Sequence, residues 1–346
     1  MSKFIKCILL LVLITVLCCG IAMADTVTSG NCGADGDNLT WTLDSNGLLT
    51  VSGTGAMNDY GYTDVPWFEY QSTIKSVILN SGVSSIGNNA FMSCRQMTSI
   101  SISDTVNSIG IGALNGTGLT SVLIPAGVSS IGERALSVNY NLAEILVADD
   151  NANFTSVDGI LFTKDISELV AYPGARAGDY TVPDGVVRIR HSAFGWCKNI
   201  TAITLPASVT TVERQAFQQC SAMASIVIPK SITVIPESAF SGCTSLTDIY
   251  YTGTAEQWNA IAIDNNNTPL INAEKHFNYA EIIASGTCGD NLTWSLNSNG
   301  VLTISGTGTM TDCEWGTSPW YDYHIFIQTI VIEDGITNIG DRKSVV

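Results

Sequence analysis

AFQQCSAMASIVIPKSITVIPESAFSGCTSLTDIYY, residues 216–251, states one phrase twice. Ala216-Phe217-x-x-Cys220-x-x-Met223-x-x-Ile226-x-Ile228 returns as Ala239-Phe240-x-x-Cys243-x-x-Leu246-x-x-Ile249-x-Tyr251, and Phe217 stands 23 residues before Phe240. Self-similarity at a period of roughly 20–30 residues predicts a solenoid. Each turn is too small to bury its own apolar side chains and must stack on its neighbours.

The phrase extends in both directions. Its strand segment reads apolar-x-x-apolar-x-apolar at Ile74/Val77/Leu79, Met97/Ile100/Ile102, Leu119/Val122/Ile124, Leu142/Ile145/Val147, Ile200/Ile203/Leu205, Met223/Ile226/Ile228 and Leu246/Ile249/Tyr251. A second apolar pair follows most of these strands, at Val83/Ile86, Val106/Ile109, Val128/Ile131, Val209/Val212 and Ile232/Ile235. Ala-Phe or Ala-Leu comes next: Ala90-Phe91, Ala113-Leu114, Ala135-Leu136, Ala193-Phe194, Ala216-Phe217 and Ala239-Phe240. The β-branched residues suit stacked parallel strands. The Ala-aromatic step reads as a core plug on the tight turn between two faces. One turn is irregular, over 148–179, where two extra short strands and a turn near 164–167 are expected before Tyr180-x-Val182-Pro183 resumes the phrase. Insertions in solenoids map to one face.

The ends of the array are different. Residues 25–71 contain Leu39-Thr-Trp41-Thr-Leu43, an Asn46-Gly47 turn and Leu48-Leu49-Thr-Val51, the signature of a β-hairpin cap. The repeats occupy 72–252, and a C-terminal cap is expected at 253–283, with a short helix around Trp258. The opening then returns at 285–340. Cys288-Gly289 and Leu292-Thr-Trp294 echo Cys32-Gly33 and Leu39-Thr-Trp41, and Pro319-Trp320 echoes Pro66-Trp67. Ile327/Ile330/Ile332 and Ile336/Ile339 start another array. A solenoid one turn long leaves its core open, so the natural chain is expected to continue, and 341–346 is read as a non-native tail.

Residues 1–24 carry Lys3 and Lys6, an apolar stretch over 8–16 and Ala22-Met23-Ala24, the pattern of a cleaved secretory signal. No later stretch reaches the roughly 18 apolar residues of a membrane span. The chain of 346 residues is 45% apolar but only 13% charged, with a formal charge of -16. Acidity without a basic run excludes nucleic acid as a natural partner.

The phrase Ile-x-Ile-Pro-x-x-Val-x-x-Ile-Gly-x-x-Ala-Phe-x-x-Cys-x-x-Leu resembles the BspA-like class of leucine-rich repeats, also called Treponema pallidum-type, found in bacterial surface proteins and some parasitic protists. The opening Cys-Gly…Leu-Thr-Trp segment is similar to those preceding such arrays in gut-bacterial proteins. The resemblance implies a β-rich leucine-rich-repeat solenoid, a right-handed stack of parallel strands with short turns and helices between β-hairpin caps. For some members it implies adhesion to host extracellular matrix or to other cells.

Ten cysteines, three of them in the signal segment, leave seven. Cys94, Cys197, Cys220 and Cys243 recur at one repeat position. That spacing is a structural period and suits a ladder of small buried thiols better than metal ligands. Cys288 and Cys313 are left open as a pair. The three histidines sit in no catalytic motif, and 264–267 lacks the spacing of a calcium loop. No catalytic, cofactor-binding or metal-ligating residue is assigned, and the chain is not read as an enzyme.

What remains is surface. The middle residue of each strand should point outward on the inner curve of the solenoid. Down the stack these residues are Ile78, Ser101, Leu123, Leu146, Thr204, Val227 and Tyr250, rimmed by Lys75, Ser99, Glu144, Thr201 and Asp248. An apolar stripe facing water is a candidate contact face for a protein partner. The sequence therefore points to a secreted or surface-displayed adhesion protein, attached through a part further along the natural chain. A spacer in a longer tandem surface protein and a carbohydrate-associated module are the alternatives. Sugar stacking would call for aromatics on the inner face, where only Tyr250 stands.

Overall fold

The computed structural model describes residues 24–280, 282–314 and 316–339, so the secretory segment and the 341–346 tail lie outside the described residues. The chain divides into two compact units, one of residues 1–249 with 260–274 and the other of 250–259 with 275–346.

The first unit opens with antiparallel β1 (Thr26–Gly33), β2 (Gly36–Asp44) and β3 (Leu48–Gly53), followed by the short β4 (Gly55–Ala56). Alternation in β2 sends Leu39, Trp41 and Leu43 inward and their Thr neighbours to solvent. Strand β3 then pairs in parallel with β5 (Ser76–Leu79), Leu49 opposite Val77. The hairpin thus hands its open edge to the first repeat.

From there two parallel ladders alternate along the chain. The first ladder holds β5, β7 (Ser99–Ile102), β9 (Ser121–Ile124), β11 (Glu144–Val147), β15 (Gly178–Thr181), β17 (Ile200–Thr204) and β19 (Ser225–Ile228). The second holds β6 (Val83–Ile86), β8 (Ser108–Ile109), β10 (Ser130–Ile131), β14 (Glu168–Ala171), β16 (Arg188–Ile189), β18 (Thr211–Val212), β20 (Val234–Ile235) and β22 (Ala262–Ile263). Between β11 and β14 sits the antiparallel hairpin β12 (Phe154–Val157) and β13 (Ile160–Thr163). This is the leucine-rich-repeat solenoid that the sequence phrase predicts.

The plugs form a column. Trp67 stacks on Phe91 at 5.3 Å, Tyr172 packs on Phe194 at 5.0 Å, Phe194 on Phe217 at 5.4 Å and Phe217 on Phe240 at 5.0 Å. Leu114 and Leu136 take the intervening places and are buried. Five plug amides donate to the alanine carbonyl of the next turn: Phe91 to Ala113 at 2.8 Å, Leu114 to Ala135 at 2.9 Å, Tyr172 to Ala193 at 2.8 Å, Phe194 to Ala216 at 2.8 Å and Phe217 to Ala239 at 2.9 Å. Burying one such ring contributes about 1.5–3 kcal/mol. At Phe240 the next alanine is missing, and the Asn267 side-chain oxygen accepts the amide instead at 2.9 Å. Asn267 also donates to the carbonyls of Pro236 and Asp264, so 264–267 is a structural turn that caps the column.

The turn around each plug is tight. The residue before the alanine is left-handed at Asn89, Gly112, Arg134, Ser192, Gln215 and Ser238. So is the second residue after the plug, at Ser93, Gly116, Val138, Trp196, Gln219 and Gly242. Left-handed backbone is costly for a side chain with a Cβ, most of all a β-branched one such as Val138.

The second unit contains β24 (Ile282–Gly289), β25 (Leu292–Asn297) and β26 (Val301–Gly306), antiparallel in sequence, then β27 (Gly308–Thr309), β28 (Thr329–Ile332) and β29 (Ile336–Asn338). Strand β26 pairs in parallel with β28, Leu302 opposite Ile330. Its core is Cys288, Leu292, Trp294, Leu296, Leu302, Ile304 and Met310.

Candidate functional site

The candidate face is the outward side of the first ladder. On β5, Val77 and Leu79 point into the core and Ile78 is half-buried. On β9, Val122 and Ile124 are buried while Leu123 between them is 52% exposed. On β11, Ile145 is buried and Leu146 half-buried. Parallel register places Ile78 opposite Ser101 and Leu123 opposite Leu146. Across the irregular turn, Thr204 stands opposite Val227. Lys75, Ser99, Glu144 and Thr201 are exposed beside these strands, and Asp248 is half-buried.

The stripe departs from the expected form in three ways. Val227 is only 7% exposed and offers almost no contact surface. Tyr250, on β21 (Asp248–Tyr251), belongs to the second unit, where its ring stacks at 4.7 Å on His276, the last residue of β23 (Glu274–His276), and packs against Tyr279 at 4.9 Å. The stripe is also cut. The β12–β13 hairpin meets the free edge of β11: the Ile145 amide donates to the Gly159 carbonyl at 2.8 Å and the Ser156 hydroxyl to the Ile145 carbonyl at 2.6 Å. Asp158 at the hairpin turn is held by Arg176 at 2.7 Å, just ahead of β15. The wedge separates Ile78, Ser101, Leu123 and Leu146 from Thr204 and Val227. The expected turn at 164–167 is present and joins β13 to β14; the two extra strands are β12 and β13, and β14 belongs to the second ladder.

The cysteine ladder is structural. The Cys220 thiol donates to the Phe194 carbonyl and the Cys243 thiol to the Phe217 carbonyl, both at 3.1 Å, and Cys197 reaches the Tyr172 carbonyl at 3.7 Å. Each of these three thiols therefore ties its turn to the plug of the turn before. Burial pushes Cys94 and Cys243 up to about 12, and Cys197 and Cys220 upward as well. Thiols so desolvated favour the protonated form at neutral pH, which suits their role as hydrogen-bond donors to the carbonyls. Cys288 and Cys313 are free thiols in the structure.

Sequence reading missed Tyr172. It takes the plug position of the irregular turn, and Ala171-Tyr172 was the available signal, an Ala-aromatic pair with tyrosine in place of phenylalanine.

The BspA type leucine rich repeat region matches in six copies over residues 66–170 and 164–283, more than half of the chain. The chain belongs to this family. Among solved structures it is similar to a leucine-rich repeat protein from Eubacterium ventriosum, at 24% identity over 73% of this chain and 84% of that one, with a TM-score of 0.46. It is also similar to a leucine rich cell surface protein from Faecalibacterium prausnitzii, at 20% identity over 70% and 99%, TM-score 0.43. A T. pallidum leucine-rich repeat protein matches at 16% identity over 63% and 81%, TM-score 0.23. No curated protein matches the sequence. Among the described residues, no helix is long and apolar enough to cross a membrane.

Proposed function

We propose that this BspA-type leucine-rich-repeat chain is a secreted or surface-displayed binding protein that docks a protein partner on the first-ladder face around Leu123. The observation that carries this reading is Leu123 itself. It is a large apolar side chain, 52% exposed at the middle of a strand whose neighbours on either side are in the core. Beside it lies Leu146 in register, with Ile78 further down the same face. Solenoids present extended surfaces of this kind to partners, and an apolar cluster rimmed by polar residues marks a contact site. Lys75, Ser99 and Glu144 supply the rim. The N-terminal signal pattern supports a location outside the cytosol. Adhesion to host matrix or to another cell is the biological form that this reading takes.

The test is binding of the purified chain to a panel of matrix proteins and glycans, beside a Leu123→Lys variant. An exposed leucine can be replaced with little effect on folding. Saturable binding to a protein that Leu123→Lys weakens at least tenfold, at unchanged melting temperature, supports the reading. Equal binding by both proteins moves the contact away from this face. Silence from both favours a spacer role, for which the return of the cap sequence at 285–320 is the supporting observation.

A further inference from the structure

The second ladder of the first unit has a break of its own. In several turns a carbonyl of the strand is taken by an amide of the next turn. Gly110 donates to Ile86 at 2.8 Å, Gly132 to Ile109 at 2.8 Å, Arg190 to Leu169 at 3.0 Å and Glu213 to Ile189 at 2.9 Å. Among the described residues no amide reaches the Ile131 carbonyl. Strand β14 takes β13 and β16 as its neighbours, so β10 ends its sheet. A notch of about 310 Å³ opens there, between the 131–137 segment on one side and β14 and β16 on the other. The Ser137 hydroxyl bridges to the Ser192 carbonyl at 3.2 Å, and Glu133 faces His191 at 3.6 Å, so the two walls are held apart at a fixed distance.

The charges lining the notch are almost all satisfied. Arg188 contacts Glu168 at 3.1 Å and Glu213 at 3.0 Å, and Arg190 contacts Glu168 at 2.6 Å. Glu213 also accepts the His191 amide at 2.8 Å. Arg134 is the exception. It lines the same notch, and among the described residues no acceptor meets its enclosed Nε. An enclosed guanidinium donor without a partner is costly, and a planar carboxylate is the group that matches its paired N–H donors. With Glu168 and Glu213 already engaged by Arg188 and Arg190, Arg134 is left to a ligand.

We propose that this notch is a binding site for a carboxylate, gripped by Arg134. The site is independent of the Leu123 face, since it is built on the other ladder. The open Ile131 carbonyl beside Arg134 adds an acceptor, which suits a carboxylate carried on a peptide backbone. A free small carboxylate shares the recognition chemistry.

The full chain is titrated calorimetrically at low salt with three probes: acetate, a blocked pentapeptide of four glycines and one glutamate, and the same peptide with glutamine. The variant is Arg134→Gly. Arg134 has left-handed backbone, φ 58, and Gly112 fills the same place one turn earlier, so glycine relieves strain there. The variant should melt no lower than the parent. Saturable binding of the glutamate peptide, at least tenfold weaker for the glutamine peptide and for Arg134→Gly, is the expected result. Acetate binding as tightly as the glutamate peptide would assign the site to free carboxylates, and peptide binding alone would assign it to an acidic segment of a protein. No binding of acetate or the glutamate peptide would overturn the proposal. So would equal binding of the glutamate and glutamine peptides, or full binding by Arg134→Gly.

Discussion

Val77 and Ile330 occupy corresponding places in the two units, yet Val77 is 1% exposed and Ile330 57%. Around them the two caps are alike in detail. Trp41 meets Trp67 edge-on at 5.7 Å and 77°, and Trp294 meets Trp320 at 5.9 Å and 74°. Tyr70 tilts against Trp41 at 6.4 Å, and Tyr323 against Trp294 at 6.3 Å. Each hairpin thus fixes its own aromatic cluster from local sequence. The burial of the strand that follows is not local. Strand β5 is flanked by β3 and β7, whereas β28 has β26 on one side and ends its sheet among the described residues. A repeat strand acquires its core environment from the next turn, as nearest-neighbour coupling in solenoids requires.

The comparison is open to direct attack. The largest contrast should come from Trp67→Ala, expected to cost the first unit about 3–5 kcal/mol. Trp320→Ala removes a half-buried ring and should cost the second unit less than half as much. Amide hydrogen exchange, read separately on β5 and β28, measures each. Equal losses would show that burial in the static structure misrepresents the coupling.

Next come Leu79→Ala and Ile332→Ala. The first deletes a core side chain and should cost about 2–5 kcal/mol. The second alters an exposed one and should stay within about 0.5 kcal/mol. Chemical denaturation of each variant checks this, and a large effect at Ile332 would mean that β28 is covered in solution.

A third pair should agree instead of differing. A Cβ at Gly30 would lie 3.0 Å from Trp41 Nε1, and one at Gly286 2.9 Å from Trp294 Nε1. Gly30→Ala and Gly286→Ala should each destabilise by about 1–3 kcal/mol through overpacking. Unequal costs would mean that the caps are not equivalent inside.

The smallest effect concerns the thiols. Burial pushes Cys32 up to about 12 and also raises its counterpart Cys288. Native-state alkylation at pH 8, followed by peptide mapping, should label partly exposed Cys313 first, then Cys288, and Cys32 last. Because the folded thiol's pKa lies above its unfolded value, the stability involved is fully present at neutral pH. It is lost gradually as pH rises from about 8.5 towards 12. A first unit whose melting temperature did not fall across that window would contradict the burial.

Periodicity carried most of this architecture. The Ala-Phe-x-x-Cys phrase located the plugs and the thiol ladder because side chains so placed have no other way to be buried. Reading outward positions from alternation was correct for Leu123 and misleading for Val227, since alternation says which way a side chain points and not what lies over it. The split of the stripe was illegible for a similar reason. It depends on the hairpin turn at Gly159 meeting Ile145, a contact that no local pattern encodes. The Arg134 notch follows from β14 choosing β13 over β10, a question of pairing partners. Tyr172 was legible in Ala171-Tyr172, but the irregular spacing around it hid the match.

Tyr172 also shows how such a chain can be edited. Some thirty-six residues separate Leu136 from Tyr172 where about twenty-three separate regular plugs, and the plugs resume from Tyr172 onto Phe194 in the same manner. The molecule keeps count by rings and not by residues. Genetic material spliced between a strand and the next Ala-aromatic step can therefore lengthen one turn without shifting the register of any other. An array built this way can trial new loops on its surface one at a time while the stack beneath them stays the same.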